Sequence, residues 1–195
     1  KIFYIANGAE VNITDCFAVP GMITGVTSDN VAQVDVGAKL RLYGGAITGN
    51  TNPGEGIVLL AKGNTSKAGG TFYMYGGEIS GNTATRGTVM MANATGSNMN
   101  AVVGIFGGII TGNHATGTSA VNGGGAGILA MGPVEIGGNA KIYGNTAAAG
   151  VPDIFLRNDQ KGKLVISTAK PLTDGAKAAG ANIYVKTGAT MNMSG

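Results

Sequence analysis

The chain has 195 residues, enough for one substantial domain, and its 44% apolar content can furnish a continuous core, which excludes a disordered chain. Charged residues make up only 12% and the net charge is +3, too little for the clustered Lys and Arg of a nucleic-acid surface. Its 36 glycines lack the period of three that collagen needs, and no apolar run approaches the roughly 18 residues of a membrane span.

In chain order, "KIFYIA" (1–6), "AEVNITDC" (9–16) and "VAQVDV" (31–36) place apolar residues two apart and read as short strands in irregular leading rungs over 1–37. The chain opens on Lys1 without a Met or a signal peptide, as an excised segment would. Cys16 is the single cysteine, so no intramolecular disulfide forms, and its apolar neighbours predict a small buried hydrophobe.

Regular repeats fill 38–158. "LYGGAITGNT" (42–51) returns as "MYGGEISGNT" (74–83) and "IFGGIITGNH" (105–114), and a fourth, looser copy follows. The Gly-Gly pairs begin at Gly44, Gly76, Gly107 and Gly137, a period of about 31 residues, within the range of solenoids. Ahead of each pair stand alternating apolar residues: Leu40 and Leu42, Phe72 and Met74, Val103 and Ile105, Val134 and Ile136. One more follows the pair (Ile47, Ile79, Ile110, Ile142), and after the recurrent Asn comes a last set: Ile57 and Leu59, Val89 and Met91, Ile128 and Ala130, Ile154 and Leu156. Each repeat therefore predicts three short strands. Three strands cannot bury an apolar face alone, but stacked repeats align these residues into inward ladders and pair each strand with its counterpart about 4.8 Å away. The expected fold is all-β: a single parallel β-helix domain over 1–195, with three short strands per coil of about 31 residues. Terminal rungs are expected over 159–195 from "KLVIS", "ANIYVK" and "ATMNMSG", with a short helix over 169–180.

The repeated phrase has a physical cause. Gly-Gly supplies a tight corner, and Asn50, Asn82, Asn113 and Asn145 are expected to form a structural corner ladder, each amide bonding turn backbone or the Asn of the next rung. Tyr43, Tyr75 and Phe106 recur immediately before Gly-Gly in an outward position and form a candidate surface binding strip for a sugar or a protein. A second outward column, Thr48, Ser80 and Thr111, is broken by Tyr143 and reflects β-propensity. Inserted loops at 62–70, 92–101 and 114–125 deviate from the period, as binding loops of solenoids do.

Chemistry is sparse. The ten acids form no pair in register: Glu55 and Asp153 are expected in adjacent outward columns three rungs apart, about 14 Å at the strand spacing. Glu78 shares a column with Lys141, and Glu135 with Arg41. His114 falls in the column of Thr51, Thr83 and Thr146 and reads as a surface turn residue. No catalytic residue, metal ligand or cofactor site is expected, and "GGGAG" (123–127) lacks the Asp of a calcium-binding repeat.

The pattern in "FYMYGGEISGNTA" (72–84) resembles repeats of large surface proteins of anaerobic, gut-type bacteria, which are right-handed parallel β-helices of adhesin-like character. "GGAI" (44–47) is similar to an element of chlamydial polymorphic outer-membrane proteins, although the FxxN element that accompanies it there is missing. The resemblance implies an extracellular or cell-surface, non-enzymatic structural or adhesive segment of a bacterial surface protein. The alternatives are a fibre subunit stacking end to end and a carbohydrate-binding or polysaccharide-active β-helix. Expected partners are a glycan or protein ligand and a second copy of the chain, with no nucleic acid and no membrane span.

Overall fold

The computed structural model describes residues 1–61, 63, 68–91, 101–119, 124–149 and 152–156, together with the backbone of the strands Lys163–Ser167, Ile183–Val185 and Thr190–Ser194. The helix expected over 169–180 and much of the three inserted loops lie outside these residues.

The chain coils into a parallel β-solenoid of about four full turns spaced roughly 31 residues apart, as the repeat predicts. Four sheets run along it. Sheet I stacks Phe3–Ile5, Ala32–Val34, Val58–Leu60, Val89–Met91, Ile128–Ala130, Ile154–Leu156 and Ile183–Val185. Sheet II stacks Glu10–Ile13, Lys39–Leu42, Thr71–Met74, Val102–Ile105, Pro133–Ile136, Lys163–Ser167 and Thr190–Ser194. Sheet III holds Met22–Ile23, Ala46–Thr48, Glu78–Ser80, Ile109–Thr111 and Lys141–Tyr143. Sheet IV, which the sequence pattern does not reveal, contains only the two-residue strands Thr51–Asn52, Thr83–Ala84, His114–Ala115 and Thr146–Ala147.

The inward ladders form the core. Leu40, Phe72, Val103 and Val134 pair in one column of sheet II, and Ile47, Ile79, Ile110 and Ile142 in sheet III, all buried. In sheet I the expected pair Ile57 and Leu59 is displaced by one residue: Val58 pairs Val89 and Leu60 pairs Met91. The run Ile57–Val58–Leu59–Leu60 has no alternation from which a phase can be read, so the rung-to-rung hydrogen bonds decide it. The outward residues of this sheet, Leu59, Met90, Leu129 and Phe155, are buried as well.

Cys16 is exposed, contrary to expectation. It stands in the loop between Glu10–Ile13 and Met22–Ile23, where Asp15 organises the backbone by accepting hydrogen bonds from the amides of Phe17 (3.0 Å) and Gly21 (2.6 Å). Phe17 and Val19 stay 84% and 81% exposed. The apolar letters around Cys16 belong to a loop rather than a strand, which is why they do not carry it inside.

Candidate functional site

The sheet II strands Lys39–Leu42, Thr71–Met74 and Val102–Ile105 each lead into a corner set by two glycines. The second takes a left-handed backbone, with φ of 79° at Gly45, 78° at Gly77 and 82° at Gly108. The first lies against the rung before it: a Cβ on Gly76 would meet the Tyr43 carbonyl oxygen at 2.4 Å, and one on Gly107 the Tyr75 oxygen at 2.3 Å. Side chains are thus excluded from the corner, and the residue just before it is left at the rim, facing out.

That residue is Tyr43, Tyr75 or Phe106. Hydrogen bonds from Tyr75 N to Leu42 O (2.8 Å) and from Phe106 N to Met74 O (2.7 Å) hold the three in line. The rings stack: Tyr43 and Tyr75 have centroids 5.0 Å apart and planes 13° apart, and Tyr75 and Phe106 follow at 5.6 Å and 27°. Rungs are spaced at about 4.8 Å, whereas touching carbons sit at about 3.5–4.0 Å. Rings carried one per rung must therefore lean to meet, and a leaning stack leaves part of each face uncovered. Tyr43 and Tyr75 remain 47% and 42% exposed, so no loop among the described residues covers them.

A fourth ring belongs to the cluster. Tyr73, two residues before Tyr75 on the same face, lies 6.2 Å from Tyr75 and 6.1 Å from Phe106, tilted by 49° and 38°. Both Tyr73 and Phe106 lean over Gly104, where a Cβ would come within 2.7 Å of either ring. Gly104 pairs with Tyr73 in register, so the missing side chain of one rung is filled by the ring of the last. Sequence reasoning overlooked Tyr73; the signal was a glycine inside a strand, which marks a close approach.

Charge borders the aromatics on one side. Arg41 occupies Tyr73's column one rung earlier, and its Nη1 donates to Glu10 at 2.7 Å while Lys39 Nζ donates to the same carboxylate at 2.6 Å. These bonds, Arg41's first, hold the Glu10 carboxyl down at about 2, and Glu10 in turn raises Arg41.

The Asn residues run through the interior as one chain of amides. Asn50 Nδ2 donates to Asn82 Oδ1 (3.1 Å), Asn82 to Asn113 (2.9 Å) and Asn113 to Asn145 (2.9 Å). The backbone amide of each Asn donates to the same oxygen of the next rung. The chain begins where Val26 N donates to Asn50 Oδ1 and ends on Asp153, whose Oδ1 accepts from Asn145 Nδ2 (2.7 Å) and N (3.1 Å). Asp153 is therefore fully buried and not in an outward column beside Glu55. Gly127 leaves room for this contact, since a Cβ there would meet Asp153 O at 2.7 Å and Asn145 Nδ2 at 3.2 Å.

Asp29, Asp35 and His114 have separate partners, and Glu78 and Glu135 stand apart from the cations of their columns. Asp29 binds the terminal ammonium of Lys1 at 3.1 Å, and Asp35 accepts from the Tyr4 hydroxyl at 2.9 Å. Glu78 lies two rungs from Lys141 in one column, and Glu135 three rungs from Arg41 in another. His114 stacks between Thr83 and Thr146, with Nδ1 2.8 Å from Thr146 Oγ1. Among the described residues no group of three or more His, Cys, Asp or Glu could hold a metal ion, and no helix is long and apolar enough to cross a membrane. No family model matches the chain, and neither a curated protein nor a solved structure matches it.

Proposed function

We propose that this chain is a non-enzymatic, extracellular structural and adhesive segment of a bacterial surface protein, a stiff rod that presents an aromatic face to a glycan or protein ligand. The observation that carries the reading is the stack of exposed Tyr43 and Tyr75 and half-buried Phe106 on a rigid sheet corner. Exposed contiguous apolar surface of this kind marks interaction sites. Replacing Tyr43, Tyr75 and Phe106 together by Ser and probing a glycan and protein array tests it. Binding is expected to vanish while the folded state persists, and binding by the triple variant at the level of the parent overturns the reading.

A further inference from the structure

The corner glycines do more than turn the chain. Because a Cβ at Gly76, Gly77, Gly107 or Gly108 would meet backbone oxygens of the preceding rung at 2.3–2.6 Å, no side chain can stand at this edge on those two rungs. Stacked over the rungs, the pairs make a bare floor that runs parallel to the solenoid axis. One wall of the resulting trough is the ring stack of Tyr43, Tyr75 and Phe106. The other is the outward column of sheet III, Ala46, Glu78, Ile109 and Lys141. At its first rung the trough deepens into a cleft of about 280 Å³ lined by Gly44, Gly45, Gly77, Ala46 and Glu78 and closed by Asp15, Phe17 and Pro20 of the leading loop. The Asp15 turn fixes that loop, so Phe17 is held in the solvent rather than drifting through it.

We infer that the trough binds a linear, neutral, β-1,4-linked polysaccharide lying along the solenoid axis, one sugar per rung. This rests on the adhesive reading above and names its ligand class. Three observations select it. The first is the period: an extended β-1,4-linked chain advances per sugar by close to the strand spacing of about 4.8 Å and turns over at each sugar, so each ring meets one sugar and successive rings meet alternate faces, a match that helical α-linked chains do not allow. The second is charge: Asp15 and Glu78 at the closed end accept hydrogen bonds from sugar hydroxyls and repel uronate carboxylates. The third is the backbone. Gly45 O, Gly77 O and Gly108 O already accept from Glu78, Ile109 and Lys141 of the following rungs, and Gly137 N donates to Ile105 O. An extended peptide adding itself as a strand needs a free edge, and the trough has none.

Calorimetric titration of the chain with β-1,4-linked gluco-oligosaccharides from disaccharide to hexasaccharide tests this. Affinity is expected to rise through roughly four sugars, one per rung at the ~4.8 Å spacing, and then level off. Ala46→Trp and Ile109→Arg fill the trough from the wall opposite the rings, at half-buried outward positions, and each should weaken binding by at least about tenfold with an unchanged melting curve. The glycan assignment falls if malto-oligosaccharides or polygalacturonate bind as well, if length has no effect, if no gluco-oligosaccharide binds, or if an extended peptide binds in their place. Binding that the triple Ser variant loses but Ala46→Trp retains would overturn the trough while leaving the aromatic strip as the adhesive surface.

Discussion

Asn113 makes four hydrogen bonds through one buried amide: Nδ2 donates to Ile79 O and Asn145 Oδ1, and Oδ1 accepts from the backbone and side-chain nitrogens of Asn82. Leaving a buried polar group without a partner costs about 1–3 kcal/mol, and Asn113→Ala strands several, so it should lower stability by several kcal/mol in urea unfolding. His114→Ala, the exposed next residue, should change it by no more than about 0.5 kcal/mol. Equal losses would contradict the inward placement of the ladder. Glu10 supplies a pH signature. Its carboxyl falls from 4.5 to about 2 on folding, so its contribution is complete above the unfolded value of 4.5 and is lost as the pH drops through about 2. Between those values Glu10→Gln should melt with a flatter pH dependence than the parent, and identical slopes would show that the Arg41 and Lys39 bonds do not persist in solution. The ladder of Asn residues was legible because one letter recurs at one spacing. Its end was not. Asp153 lies eight residues after Asn145 rather than a full period, so no alignment of repeats points to it. Only the coiled chain brings the two together.

At the scale of the strand, the sheet II and sheet III registers follow from the sequence because the inward apolar residues stand at the same distance from Gly-Gly in every repeat. Ile79 pairs with Ile47 and Ile110 as that spacing requires. Sheet IV was invisible since two residues, such as Thr51 and Asn52, are too short to show a period. Burial of Leu59, Met90, Leu129 and Phe155 on the outward side of sheet I likewise leaves no alternation to read. The aromatic strip was visible as a column, but its width was not, because Tyr73 joins it through Gly104 on the following rung. This gives a test of the strand's outer face. Gly104→Ala places a methyl 2.7 Å from both the Tyr73 and Phe106 rings, which must swing away. Each displaced ring contact forfeits about 0.5–1.5 kcal/mol, and the near-ultraviolet circular dichroism of the tyrosines should weaken while the far-ultraviolet β signal persists. An unchanged near-ultraviolet spectrum would mean that the rings do not close over Gly104.

For the whole molecule, stability is set largely by contacts between successive coils, as in any solenoid. Removing one period, residues 81–111, joins Ser80 to Gly112 and leaves Asn50, Asn113, Asn145 and Asp153 as consecutive members of the amide chain. The shortened protein should fold with the same β spectrum and a lower melting temperature, whereas loss of the β signal would show that the coils are not interchangeable. The reason lies in what each side chain offers. An asparagine both gives and takes a hydrogen bond, so any number of coils can be spliced between two others without disturbing either neighbour. A carboxylate only takes, so Asp153 receives the side-chain and backbone amides of Asn145 and closes the series. Sheets III and IV have their last described strands at Lys141–Tyr143 and Thr146–Ala147, while sheets I and II continue. The cross-section of the rod is thus written in every described coil, but the closure of its amide chain is written once, in the exchange of an amide for an acid. Gene duplication that inserts whole coils ahead of Asn145 would lengthen such a rod and leave that closing bond untouched.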